Sequence, residues 1–463
     1  MTARRPLIAL ALLLVLSAGL HVHRAANPTS SYQSADERSY GKLAVDIADQ
    51  GHYGSPSTGM KDPLHWPPGA PILFAVGHQL APDDGSRTSF DVPAAYVLQA
   101  LVSLGTMLAA FALGAAVAGR WAGVVSAGLV GLYPPLVLAT GEQISEPLGA
   151  FFLTSAFAAL AWSARLSRLP GYAGAGVLLG LAVLTRADLL FVPFLIAILV
   201  ALWYWRTADD VRRGLAKGVL LAGGAAAVMV PWIAYASART GELVPVTRGS
   251  APPLFVGTFL PGKGHTVGMK RALEREVKEF NPLLADIPAF EIEASEYMAL
   301  IASRHADLPR DEAIRLEARK NIRTYAAGDP VGFGVMMLGK VQRMWGRYAR
   351  GGARSTTWWI RVPHVLLVLG GFLGILLGLR HRRGDEPDGE DGRSRWGPRV
   401  ALGAVLLAAL TSTALHMLVV SQARYNLPLM PGVIAAGVAG WFLWARARRS
   451  ENEEGRSSVT ALM

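Results

Sequence analysis

The stretch LVSLGTMLAAFALGAAVAGRWAGVVSAGLVGLYPPLVLATGEQISEPLGAFFLTSAFAALAWSARLSR, residues 101–168, holds only five charged side chains: Arg120, Glu142, Glu146, Arg165 and Arg168. They stand between apolar runs, several of which approach the roughly 20 residues needed to cross a hydrocarbon core of about 30 Å. Their signs alternate, with arginine after the first run, acids after the second and arginines after the third. Lys and Arg in short loops mark the cytoplasmic side. The chain therefore enters the cell before Arg120, leaves toward Glu142 and returns at Arg165.

Extended along the chain, the same reading gives about ten spans: roughly 6–22, 93–117, 121–140, 146–164, 171–186, 188–205, 215–237, 361–380, 399–420 and 427–445. Arg4 and Arg5 place the N-terminus in the cytoplasm. Arg206, Arg212, Arg213 and Lys217, then Arg380 to Arg399, then Arg446, Arg448 and Arg449 fall on that side too. The short outer turns GEQIS and SQARYN carry one arginine between them. Residues 1–22 are read as a retained span, although a basic start before an apolar core is also the pattern of a signal peptide. Either way the next segment lies outside.

Composition agrees with this class. Of 463 residues, 52% are hydrophobic and only 17% charged, against about 25% charged in soluble domains. The 50 glycines and 28 prolines are scattered through the spans, where neighbouring helices satisfy the backbone. The net charge of +11 lies at the cytoplasmic span ends, which argues against nucleic acid. With no cysteine there is no thiol nucleophile or thiolate metal site. The expected fold is an all-α polytopic membrane protein with two long outer segments containing juxtamembrane helices. Residues 1–237 form an N-terminal membrane module with a first outer loop over 23–90. An outer helical segment covers 238–360, and a C-terminal membrane module with a cytoplasmic tail covers 361–463.

In the first outer loop, SADERSYGKLAVDIADQGHYG (34–54) opens with a capping box, Ser34 at the N-cap and Glu37 three residues on. Asp36 in the first turn suits the helix dipole, by about 0.3–1 kcal/mol. Leu43, Ala44 and Ile47 share a face able to lie against the membrane. In the second outer segment, MKRALEREVKEF (269–280) and PRDEAIRLEARKNIRTYAAG (309–328) have helical spacing with opposite charges three or four apart. DPVGFGVMMLGKVQRMWGRYAR (329–350) starts apolar and ends basic, a pattern suited to a helix on the outer membrane surface. HRRGDEPDGEDGRSR (381–395) is a polar cytoplasmic linker.

The acidic pair in DERSYGKLAVDIADQGHYG, soon after the first span, resembles the first outer loop of the polyprenol-phosphate-sugar-dependent C-type (GT-C) membrane glycosyltransferases. These are the protein O-mannosyltransferase-like and aminoarabinose transferase-like enzymes. HWPPGAPILFAVGHQL is similar to their proline-rich run back to the membrane, and SEPLGAFF to the acid opening a later span. GDPVGFGVMMLGKVQRMWG resembles the stretch before their late spans, and ARYNLPLMPGVIAAG their closing signature. The motifs keep the family's order across nearly the whole chain. Asp-Glu-Arg stands where the aminoarabinose transferases commonly have Asp-Glu-Pro, and the chain ends soon after the tenth span. Both points lead away from the lipid A activity specifically.

The resemblance implies an enzyme that moves a sugar from a polyprenyl phosphate to an acceptor hydroxyl at the outer face of the cytoplasmic membrane. Such chemistry needs a carboxylate to take the acceptor proton and cations for the departing phosphate. The resemblance gives the first task to Asp36. Glu37 is then the capping or neighbouring acid. Glu142 and Glu146 are the next outer acids, able either to position the acceptor or only to start a helix before Pro147. Arg186 lies between two apolar runs in LTRADLL and is read as a phosphate ligand; the alternative is that it snorkels or pairs with Asp188. Arg424 and Tyr425 stand in a short outer turn, where resemblance implies a donor site. Lys340 and Arg343 lie on the surface helix and serve either the donor phosphate or lipid headgroups at large.

No His/Asp/Glu cluster has metal spacing, and no glycine loop suits a nucleotide. The sequence therefore calls for no cofactor and leaves a divalent cation open. The implied partners are a polyprenyl-phosphate sugar, a lipid, glycan or protein acceptor, and membrane lipids. Two other functions fit the same hydropathy: a transporter or flippase for lipid-linked sugars, and a surface-polysaccharide polymerase or ligase. The first would want charges lining a path through several spans; these spans are nearly free of charge. The second would share the outer loops, and the order of motifs favours the transferase.

Overall fold

The computed structural model describes residues 4–28, 35–54, 62–80, 93–208, 211–347, 358–380 and 397–461. Every regular element among them is helical. In chain order the helices are α1 (Arg5–Ala26), α2 (Ala35–Gln50), α3 (Gly69–Leu80), α4 (Pro93–Ala118), α5 (Arg120–Gly131), α6 (Pro134–Ala139) and α7 (Glu146–Leu166). Next come α8 (Pro170–Thr185), α9 (Val192–Ala208), α10 (Val211–Thr240), α11 (Ala251–Thr258), α12 (Thr266–Ala272), α13 (Glu274–Phe280) and α14 (Ala294–Ser303). Last are α15 (Arg310–Gly328), α16 (Pro330–Gly346), α17 (Trp358–Arg380), α18 (Val400–Leu418) and α19 (Met430–Ala461). The protein is an all-α, multi-pass membrane protein. Seven of these helices are long and apolar enough to cross a bilayer, and α8 is a shorter apolar helix.

All ten expected spans fall on helix, but the third is not one rod. The run 121–140 divides into α5 and α6, of 12 and 6 residues. The cause is local. Tyr133 precedes Pro134, whose ring disfavours helical geometry at the residue before it, and Tyr133 is extended at φ −67°, ψ 110°. The first span is tied to this break: His21, fully buried in α1, places its Nδ1 2.8 Å from the Thr140 Oγ1.

The chain divides into two compact units. The first comprises Met1–Val246, Val362–Leu410 and Leu427–Met463; the second comprises Thr247–Arg361 and Thr411–Asn426. Within the first, α8 and α10 approach backbone to backbone. A Cβ on Gly176 would lie 2.0 Å from the Leu221 carbonyl oxygen, and one on Gly224 2.2 Å from that of Ala173. Small residues at such contacts supply the van der Waals packing that joins helices in lipid, where apolar side chains gain little from leaving the solvent.

The second unit has a core of its own, built around Phe255, Met269, Val277, Tyr297, Ile301 and Ile314. The helix expected over 269–280 is broken at Leu273, which leaves helical geometry (φ −105°, ψ 9°) and buries its side chain in that core. Tertiary packing overrides the charge periodicity there. The run 309–328 forms α15 with Pro309 at its N-cap and Gly328 at its end. α15 carries Glu317, a buried carboxylate that accepts from Arg304, His305 and Lys320. α16 is amphipathic. Met336, Met337, Lys340 and Met344 are buried, while Val331, Val335 and Leu338 are exposed.

Candidate active site

α2 carries Asp36 and Glu37 in its first turn, both half-buried. Ser34, the other half of the expected capping box, lies outside the described residues. The face expected against the membrane is instead packed into protein. Ala44 lies in a cluster with Phe74 and Ala95 and Leu43 in one with Tyr53, Leu64 and Ala236, and Ile47 packs against both. Two apolar clusters sharing one short helix leave it little freedom, so the acids at its start are held in place.

One turn after Asp36, on the same face, stands Tyr40. It is 5% exposed and lies edge-on to Trp66 and Phe74, with ring centroids 5.3 and 6.3 Å away. Its hydroxyl hydrogen-bonds the Ser145 side chain. Burial, and after it the Asp36 and Glu146 carboxylates, push the phenol well above its ordinary value, with the Arg186 charge opposing. Tyr40 therefore stays protonated. Asp36, Glu146 and Arg186, three candidates far apart in the chain, all act on this one hydroxyl.

Arg186 ends α8 with extended backbone (φ −143°, ψ 105°). Its Nη1 lies 3.2 Å from the Glu146 Oε1, its Nε donates to the Asp188 Oδ1 at 3.1 Å, and Nη1 also reaches the Ser145 Oγ at 3.5 Å. Exposure is 8% for Arg186 and 2% for Glu146. Gly149, one turn into α7, makes room: a Cβ there would be 3.0 Å from the Arg186 Cδ. The pairing with Asp188 that the sequence left open is thus present, and Glu146 joins it, so two carboxylates brace the cation. Glu142 is half-buried in the turn before α7, where its carbonyl oxygen accepts from the Gln99 amide. No group of three or more His, Asp or Glu among the described residues is arranged to hold a metal ion.

The remaining candidates belong to the second unit. Lys340 is 1% exposed, and its Nζ donates to the carbonyl oxygens of Gly257 (2.9 Å) and Met417 (2.5 Å). Burial, then the Arg343 charge, push this ammonium down to about 7. Arg343 donates through Nη2 to the Lys263 carbonyl oxygen at 3.3 Å. Arg424 donates to Gln422 at 3.1 Å, and its guanidinium carbon lies 5.9 Å from the centre of the Tyr425 ring. Tyr425 in turn packs on His416 with ring centroids 4.7 Å apart.

Lys340 gives a pH prediction. With its folded pKa near 7 and an ordinary value of 10.5, the unfolded chain binds more protons between those limits, so stability rises with pH across them. Thermal stability of the parent is expected to climb between pH 7 and 9, and Lys340→Met to climb less. At pH 9 the variant should be less stable by about 1–3 kcal/mol, because two buried carbonyl oxygens lose their donor. Parallel pH profiles for the two proteins would contradict the assignment.

The described fold is similar to that of the archaeal oligosaccharyltransferase AglB from Archaeoglobus fulgidus, solved with an inhibitory peptide and a dolichol-phosphate. That match has 16% identity and a TM-score of 0.50 and covers 97% of this chain and 52% of that one. The same enzyme tethered to an acceptor peptide matches over 93% and 49%, with 16% identity and a TM-score of 0.51. ArnT from Cupriavidus metallidurans bound to undecaprenyl phosphate matches over 88% and 77%, with 17% identity and a TM-score of 0.41. This is a GT-C fold. The chain spans about half the length of the AglB structures it matches. No family model matches its sequence, and no curated protein does.

Two members of this buried cluster are missing from the sequence reading: Tyr40 and Ser145. The first had a signal, standing four residues after Asp36 and hence on the same helical face. Ser145 had none beyond preceding Glu146, because only the folded chain brings the start of α7 to α2.

Proposed function

We propose that the protein is a glycosyltransferase that moves a sugar from a polyprenyl-phosphate donor to an acceptor hydroxyl at the outer face of the cytoplasmic membrane. The observation carrying this reading is the convergence of Asp36, the start of α7 and Arg186 on the buried Tyr40 hydroxyl. The dolichol-phosphate and peptide bound by AglB supply the analogy for a lipid-linked donor. In the proposed reaction the acceptor oxygen attacks the anomeric carbon as its proton passes to the Asp36 carboxylate. The bond from that carbon to the phosphate oxygen breaks, and the electron pair leaves with the phosphate. Glu146 and Glu142 position the acceptor, and Glu37 keeps the α2 start ordered. In the first unit Arg186 offsets the phosphate charge; the second unit, taken by itself, offers Arg343 and Arg424 with Tyr425 as phosphate ligands, and Lys340 anchors the turn beneath Arg343. Donor and acceptor are tested in a deletion strain: one lipid-linked sugar should accumulate and one envelope glycan lose a sugar, by mass spectrometry. An unchanged glycan profile would count against the reading.

The outward orientation rests on the alternation of arginines. Cysteine at the exposed Ser303, in the second unit, should react with an impermeant thiol reagent in spheroplasts, and cysteine at the exposed Ser167, between α7 and α8, should not. Labelling of Ser167→Cys alone would invert the topology.

A further inference from the structure

α1 meets the rest of the first unit through a narrow stripe. Along this helix only Pro6, Ser17, His21 and Ala25 are buried, the last three spaced four residues apart and so on one face. Leu12, Leu16 and Leu20 are exposed. Ala25 packs on Tyr96 and Ala100 of α4. An apolar residue at position 21 would continue that packing without needing a partner. A histidine inside a membrane span has to find one, and ionisable side chains at that depth are functional candidates by default.

The partners of His21 form a directed chain. Its Nε2 lies 3.3 Å from the Gly131 carbonyl oxygen, which can only accept, so in the neutral ring Nε2 holds the proton and Nδ1 is an acceptor. The Thr140 hydroxyl, 2.8 Å away, is the donor to Nδ1. That uses the single hydroxyl proton of Thr140, and Ser103 on α4 donates to the same oxygen from 3.3 Å. One turn earlier on α4, the Gln99 side-chain amide donates to the Glu142 carbonyl oxygen. Near the end of α1, Arg24 donates through Nε to the Leu138 carbonyl oxygen at 3.4 Å. It also covers Gly141, where a Cβ would lie 2.7 Å from that nitrogen. Residues 138–142 are thus gripped from both α1 and α4. They need it, because α6 has only six residues and ends at Ala139, and a helix that short does not hold itself. The gripped turn runs straight into Glu142, Ser145 and Glu146, the acidic edge of the candidate site.

We propose that His21, acting through Thr140, is a positioning residue for glycosyl transfer: the first span fixes the turn that presents Glu142 and Glu146 to the acceptor, and is retained in the mature enzyme for that purpose. The positioning role rests on the glycosyl-transfer reading; the retention of α1 does not. Full-length protein in membranes is given labelled polyprenyl-phosphate sugars from the source cells, with the envelope fraction of a strain lacking the protein as acceptor, at increasing dilution. Thr140→Val keeps the shape of the side chain and removes the hydroxyl. Its half-saturating amount of envelope should rise about tenfold or more, and Thr140→Ser, which puts the hydroxyl back, should recover most of the loss. A role in packing alone would lower the amount of folded enzyme and leave half-saturation where it is. The double variant His21→Phe/Thr140→Val removes both polar partners, a change that is nearly neutral for stability. It should melt close to the parent and show the same rise. Parent-like half-saturation in the double variant overturns the positioning role. A parent that transfers no sugar overturns the glycosyl-transfer reading and the positioning role with it, but leaves the retention of α1 standing. For that, an epitope tag at the N-terminus should stay on the membrane-embedded protein; active protein cut beyond His21 overturns the proposal.

Discussion

Asp36→Asn is expected to slow sugar transfer at least about a hundredfold while melting close to the parent. Loss of a general base costs roughly 10²–10⁴ in rate, whereas a weakened helix start costs about 0.5–2 kcal/mol of stability. Asparagine keeps the size and much of the hydrogen bonding at the start of α2 but cannot take a proton. The stability side of the expectation follows from packing. α2 is held by Leu43 and Ala44 in two apolar clusters, not by its first turn, so the substitution leaves its anchorage intact. Glu37→Gln, which still caps, should retain much of the activity. Near-normal turnover in Asp36→Asn with a thermal defect would reduce both acids to helix-start residues. The base would then be sought at Glu142 or Glu146.

Arg186→Ala is expected to damage folding as well as turnover. Read from the sequence, Arg186 was a phosphate ligand between two apolar runs, with pairing to Asp188 as an alternative, and its loss would weaken donor use in an otherwise stable protein. The ion pairs with Glu146 and Asp188 change that expectation. Removing the cation strands a carboxylate that is 2% exposed, and breaking a buried pair this way costs about 3–5 kcal/mol. The double variant Arg186→Met/Glu146→Gln removes both charges and should recover most of the lost melting temperature without recovering transfer. If Arg186→Ala melts like the parent, the pair contributes nothing to the fold, and Arg186 is available to a ligand alone.

Much of the fold was legible because membrane spans are encoded simply, by length and by the charges at their ends. The break in the third span was legible too, in Pro134, although hydropathy passes over it; the proline acts on the backbone of Tyr133, not on polarity. The second unit was harder. Leu273 leaves the helix because the core takes its side chain, a decision made by residues far along the chain. In the site, Asp36 stood out as part of an acidic pair after the first span and Arg186 as a charge between two apolar runs, but the residues that surround them in the fold did not. Glu146 read either as positioning the acceptor or as a helix start, Ser145 as nothing in particular, and Lys340 as a surface cation for the donor phosphate or for lipid headgroups. Burial separates these roles, and no local pattern in α16 records that Lys340 points toward Gly257 and Met417.

The most direct test uses membranes containing the parent protein or Asp36→Asn, incubated with polyprenyl-phosphate sugars extracted from the source cells and labelled in the sugar. The quantity measured is label transferred to a product lacking the prenyl chain, together with the free polyprenyl phosphate released. The parent should release both in equal amounts, and Asp36→Asn at least about a hundredfold more slowly. Equal release by the two proteins, or a parent that leaves every lipid-linked sugar intact, would contradict the account.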